Sequence, residues 1–103
     1  MSWHYHQWIQ FTASNFNGYA EPELYCVLKD RVILFEMKLT GGIAGRMQLE
    51  GLYKPLLEFI YKKPVHCCIV CKWINTETPG PFFGSAEDFI RSGVPFGTWH
   101  WLP

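Results

Sequence analysis

The chain is 103 residues long, 49% apolar and 17% aromatic, and its nine Lys plus Arg balance nine Asp plus Glu. That length suits one core burying roughly 60–70% of the surface the unfolded chain exposes, so we expect a single domain over residues 1–103 and no two-domain enzyme. The composition is too apolar for a disordered segment, no run approaches ~18 consecutive apolar residues, and the first twenty are rich in His, Gln, Asn and Ser, so neither a membrane span nor a secretory leader is expected.

Taken alone, the neutral balance argues against a protein that coats nucleic acid without specificity. Cys67, Cys68 and Cys71 crowd together while Cys26 stands apart, which is poor spacing for a disulfide framework and points to reduced thiols and a cytoplasmic location. Cys68-x-x-Cys71 beside His66 offers half a zinc site. No second pair follows it, and the stretch Val65–Cys71 reads as a buried strand in which these thiols are small core residues.

In chain order, Trp3, Tyr5, Trp8 and Phe11 form an aromatic cluster with a short strand over 8–12, and the turn-rich run Ser14 to Gly18 reads as a loop. Leu24 to Leu28 and Val32 to Leu39 then read as a hairpin about Lys29-Asp30-Arg31. Both faces of Val32-Ile33-Leu34-Phe35 are apolar, which predicts an interior strand covered on two sides. The cover comes next: Leu49, Leu52, Tyr53, Leu56, Leu57 and Ile60 make one apolar stripe, predicting a helix from about Gly45 to Lys62 that Pro55 bends or divides. Val65 to Trp73 reads as a further inner strand. Beyond the loop at Thr78-Pro79-Gly80-Pro81, Ser85 caps a short helix ending near Arg91, and an aromatic tail closes at Trp101. This predicts a mixed α/β or α+β domain.

The chemistry concentrates on the hairpin. A two-residue loop at Lys29-Asp30 pairs Leu28 with Arg31 and so sets Glu23 opposite Glu36; a register slipped by two would bring Glu21 there instead. Side-chain alternation puts Lys38 on the same face as Glu36. Carboxylates about 5 Å apart repel by roughly 3 kcal/mol at an effective dielectric of 20. Protonation, a salt bridge from Lys38, or a divalent cation can each offset this. Mg²⁺ is commonly held by one or two carboxylates together with waters and substrate phosphate oxygens, an arrangement suited to phosphodiester hydrolysis.

Pro22-Glu23, twelve intervening residues and Glu36-Met37-Lys38 resemble the signature of the PD-(D/E)XK nuclease superfamily. Gln48, on the helix after the Glu-x-Lys strand, with Tyr53 beyond it, is similar to a further motif of RecB-like and replication-repair members. The resemblance spans about Glu21 to Trp73. It implies a restriction-endonuclease-like core, a central mixed sheet flanked by helices, and a metal-dependent DNA nuclease. Glu23 and Glu36 would ligate Mg²⁺ or Mn²⁺, with Lys38 as the catalytic lysine and Gln48 in support. Many members carry an acidic residue or His on a preceding helix; no such helix is evident here, leaving His4 and His6 as candidates. The layout looks most like a stand-alone phage or mobile-element nuclease. That implies host cytoplasm, DNA as partner, a homodimer where both strands are cut, and a host or phage replication protein as a further partner. The competing reading is a non-catalytic phage-type protein on the same fold that binds or inhibits a host protein or nucleic acid.

Ordinary roles stand beside these. Glu23 and Glu36 can be strand-end carboxylates neutralised by Lys38, Gln48 can cap the helix, and Tyr53 sits on the apolar stripe as a core residue would. The Thr40–Arg46 connection, with Gly42 and Arg46, is either a phosphate-binding approach or a plain strand-to-helix link. Trp3, Tyr5, Trp8, Phe82, Phe83, Phe96, Trp99 and Trp101 can close the core, stack on unpaired bases or form a dimer contact. The charge is also uneven: eight basic and four acidic residues lie between Lys29 and Lys72, so a neutral chain still offers a locally basic segment to a phosphate backbone.

Overall fold

The run Val32-Ile33-Leu34-Phe35 is buried on both sides, and the molecule is built around it. The computed structural model describes residues 2–13, 16–40, 46 and 49–101. In chain order these form β1 (Ser2–Tyr5), β2 (Ile9–Ala13), β3 (Phe16–Ala20), β4 (Leu24–Val27) and β5 (Val32–Thr40). A π-helical turn (Leu49–Tyr53) then leads into α1 (Lys54–Tyr61), followed by β6 (Val65–Trp73), β7 (Phe82–Phe83), α2 (Ala86–Ser92) and β8 (Phe96–His100). Six strands make one sheet in the order β1-β4-β5-β6-β8-β7, and β2 pairs with β3 as a separate hairpin. The sheet is mixed: β1, β4 and β5 pair antiparallel, whereas β5, β6, β8 and β7 pair parallel. The domain is α+β, and its radius of gyration of 13.5 Å matches the ~13 Å expected of one compact unit of this length.

The β4–β5 register is the one the two-residue loop predicts. Leu24 pairs with Phe35 and Val27 with Val32, and Leu28 N–H donates to Arg31 O at 2.8 Å. One more step along the ladder brings Glu23 against Glu36.

Parallel neighbours need crossovers, and the two here run in opposite senses across the sheet. The chain passes from β5 to β6 through α1, and from β7 back to β8 through α2. Right-handed crossovers of opposite sense cover opposite faces, and the two cores follow. Tyr25, Leu34, Cys67 and Ile69 pack with Leu49, Tyr53 and Leu57 on the α1 face. Cys26, Ile33, Phe35, Cys68 and Val70 pack with Phe89 on the α2 face.

Pro55 divides the predicted helix, as its missing donor requires. It occupies the first turn of α1, where the N–H would lack an intrahelical partner anyway, and the preceding turn is wound as a π-helix. Leu49, Tyr53 and Leu57, four residues apart, are buried, whereas Leu52 and Ile60 from the same stripe remain 39% and 43% exposed. Lys62, at φ 56°, ends α1 by donating its N–H to Glu58 O at 2.9 Å. Ser85 caps α2 as expected, its Oγ accepting from Asp88 N–H at 3.1 Å, and Gly93 at φ 74° closes that helix.

Four strands depart from the sequence reading. The turn-rich run Ser14 to Gly18, read as a loop, contributes Phe16 to Gly18 to β3, since pairing with β2 outweighs the local turn preference of Asn17 and Gly18. The N-terminal cluster forms edge strand β1 on β4, and β7 is a two-residue edge strand. The tail is strand β8, an interior partner of β6, and Gly97, which locally weakens a strand, sits in its ladder.

Candidate active site

Glu36 follows four buried apolar residues on β5 and is itself only 3% exposed. Strand alternation aims it to the α1 face, in the row of Ile69 on β6. Lys38, two residues on, shares that face, and its Nζ donates to Glu36 Oε1 at 3.2 Å. The ammonium is partly exposed, with 38% of its side chain open to solvent, while the carboxylate is not. Glu23 lies just before β4, and its Oε2 accepts from Met37 N–H at 3.3 Å. That bond anchors Glu23 to β5 beside Glu36.

The pair is electrostatically unbalanced. Glu36 Oε2 is buried and has no hydrogen-bond partner among the described residues. Desolvation raises the Glu36 pKa above its ordinary value, and the charge of Glu23 raises it further, against the opposing pull of Lys38. A buried carboxylate with a full hydrogen-bond complement would need no further partner. This one keeps an open oxygen at the middle of β5, where the strand's apolar run ends.

Glu23, Glu36 and Lys38 therefore converge on the stretch of β5 from Glu36 to Lys38. Gln48 and Gly42 lie outside the described residues. Arg46 pairs with Glu50, Nε to Oε2 at 3.2 Å, and its guanidinium lies 4.3 Å above the Phe96 ring, so it is engaged by the protein itself. Tyr53 is 8% exposed and belongs to the α1-face core.

His4 and His6 both belong to the β1 side of the hairpin. His4 stacks on Tyr25 at 4.7 Å. His6, at φ 47°, turns the chain so that its N–H donates to Glu23 O at 2.9 Å, and its Nδ1 meets Glu21 Oε1 at 3.0 Å. A one-residue connection thus ties β1 to the segment that carries Glu23. This backbone role of His6 has no signature in a single chain.

Cys67 and Cys71 belong to the α1-face core, whereas Cys68 belongs to the α2-face core. Strand alternation therefore separates Cys68 and Cys71, and the half-zinc reading loses its geometry. Burial pushes the Cys67 and Cys68 thiols up to about 12, as expected of inert core residues. Among the described residues, no group of three or more His, Cys, Asp or Glu is arranged to hold a metal ion. Any cation at the hairpin would rest on the two carboxylates, with its other ligands drawn from solvent or substrate. Among the described residues no helix is long and apolar enough to cross a membrane. In comparisons with known proteins, the chain matches no family model, no curated protein and no solved structure.

Proposed function

We propose that the protein is a metal-dependent nuclease that hydrolyses DNA phosphodiesters at the Glu23, Glu36 and Lys38 cluster, on a restriction-endonuclease-like core. The observation that carries this reading is the buried, unpartnered Glu36 Oε2 at the middle of β5, set beside a second carboxylate and a lysine. The mixed sheet with a helix on each face, and the resemblance of Pro22-Glu23 and Glu36-Met37-Lys38 to the PD-(D/E)XK signature, support it.

The donor set fits a hard divalent cation. Glu36 Oε2 and the Glu23 carboxylate are oxygen ligands, and Mg²⁺ is commonly held by no more than two carboxylates. When bound, the ion would supply Lewis-acid polarisation of the scissile phosphate and favour deprotonation of the attacking water. The protein's own groups have separable tasks. Glu36 supplies negative charge that binding a cation would relieve. Lys38, held at 3.2 Å by Glu36, presents a fixed, partly exposed ammonium that orients the water or stabilises charge developing on the phosphate oxygens. The bond from Met37 N–H keeps Glu23 in register with Glu36.

Incubation with Mg²⁺ or Mn²⁺ and a panel of linear, nicked, branched and single-stranded DNA tests this. Cleavage is expected, blocked by chelator and lowered by roughly 10²-fold or more in Lys38→Ala or Glu36→Gln. Intact DNA across the whole panel, with folded protein and metal present, overturns it and leaves the non-catalytic reading standing.

A further inference from the structure

Beside the carboxylate site, a groove runs over the carboxyl edge of the sheet to its other face. There a cavity of about 330 Å³ is lined by Trp3, Phe35, Met37, Val70, Trp99 and Trp101. A second cavity of about 250 Å³ adjoins it and includes Lys38 and Lys72. Met37, Val70 and Trp101 line both. Alternation along β5 puts Met37 on the α2 face and Lys38 on the α1 face, so the second cavity is lined from both faces.

We propose that this cavity receives an unpaired nucleobase, placing the adjoining phosphate at Lys72 and Lys38, so that the substrate is single-stranded or locally unpaired DNA. The inference rests on the nuclease reading for its catalytic consequence, whereas base binding itself does not depend on cleavage.

Three observations select this occupant. The first is charge: the groove offers Lys72 and the partly exposed Lys38, which Glu36 holds from the other side, and among the described residues no carboxylate lines either cavity. That suits an anionic backbone rather than an uncharged apolar ligand. The second is aromatic surface. Trp3 and Trp101 are 43% and 49% exposed, although such rings are normally covered. Trp3 is held nearly parallel to Phe35, 6.2 Å between centroids. Trp99 spends its indole N–H on Gly84 O at 3.1 Å, so it offers a ring face and no donor. Sites for single strands combine such stacking platforms with a basic track and tolerate any base. The third is size. The cavity lies at the small end of the ~300–1,000 Å³ range of small-ligand sites, which admits a base but not a helix or a duplex. A base stacked within a duplex would have to leave its stack to enter.

The test is fluorescence anisotropy with a labelled oligonucleotide and chelator present, so that affinity is read without cleavage. A single strand is expected to bind at least about tenfold more tightly than the same sequence as duplex, and Trp101→Ala to weaken the single strand by roughly 5- to 100-fold, the loss of one stacked base. Trp101→Phe should recover most of that loss. Trp8→Ala, which removes an exposed aromatic outside the groove, should leave affinity unchanged. Trp3→Ala gives a second reading from the opposite wall, and thermal melts establish that each variant is folded. Equal affinity for single strand and duplex, no binding to either, or unaltered single-strand affinity in both Trp101→Ala and Trp3→Ala overturns the proposal. Selective binding without cleavage in Mg²⁺ upholds base recognition while overturning the nuclease reading, so the two failures are distinguishable.

Discussion

Glu36 is the residue at which the fold stores an electrostatic cost. Its folded pKa lies above the ordinary 4.5, chiefly through desolvation and secondarily through Glu23. The native state therefore holds this proton more tightly than the unfolded chain. Below the unfolded pKa both states are protonated and the residue is neutral toward stability; as pH rises, the unfolded chain loses its proton first and stability falls until the native carboxyl has also ionised. Glu36→Gln removes the ionisation. Without divalent cation, this variant should melt at a higher temperature than the parent at neutral pH, and the gap should close as pH falls toward 4.5. If the open oxygen binds Mg²⁺, adding the ion should raise the melting temperature of the parent and leave Glu36→Gln unmoved. Melts by circular dichroism with and without Mg²⁺ check both statements.

At the scale of elements, β8 shows how packing can overrule a residue's local preference. Gly97 pairs with Cys68 beneath α2, and a Cβ added there would lie 2.6 Å from the Phe83 ring and 3.0 Å from the Phe89 ring. Those rings already meet edge to face at 5.5 Å. Gly97→Ala should therefore cost about 1–3 kcal/mol in urea denaturation, the usual range for overpacking. Gly84→Ala is the matched control, since its Cβ would meet nothing within 4 Å. The neighbouring Thr98 is completely buried yet satisfied, its Oγ1 donating to Pro79 O at 2.6 Å. Gly97 is the residue of this strand that runs against local β preference, and the reason for it lies in the distant rings of Phe83 and Phe89. The β4–β5 hairpin was legible for the opposite reason: a short loop and an uninterrupted apolar run specify its register locally.

At the scale of the whole molecule, the sheet is covered on both faces, and the four cysteines are divided between the two cores. All four are buried, and none is in a disulfide. Their reactivity should therefore report the integrity of both layers together. With the thiol reagent DTNB, native protein should show less than one reactive equivalent. All four should appear in a single transition that coincides with loss of secondary structure in denaturant. Early release of one or two thiols would mean that the faces open separately. The same two-sided construction places the carboxylate pair on the α1 face and the tryptophan-lined cavity on the α2 face, joined over the strand ends.

The sequence by itself determined what depends on local period. It specified the doubly buried β5, the hairpin register that opposes Glu23 and Glu36, the shared face of Glu36 and Lys38, and the apolar stripe interrupted at Pro55. Each is set by strand or helix repeat within a few turns of chain, so neighbouring residues carry the information. Only the tertiary structure decided the strand order, the capture of the aromatic ends as β1 and β8, and the separation of Cys68 from Cys71. It also decided the meeting of Trp3, Met37, Trp99 and Trp101 in one groove. Those residues come from three separated segments, and no local pattern links them. They meet because the crossovers through α1 and α2 run in opposite senses and cover opposite faces of the sheet, while β1 lies next to β4 at its far edge.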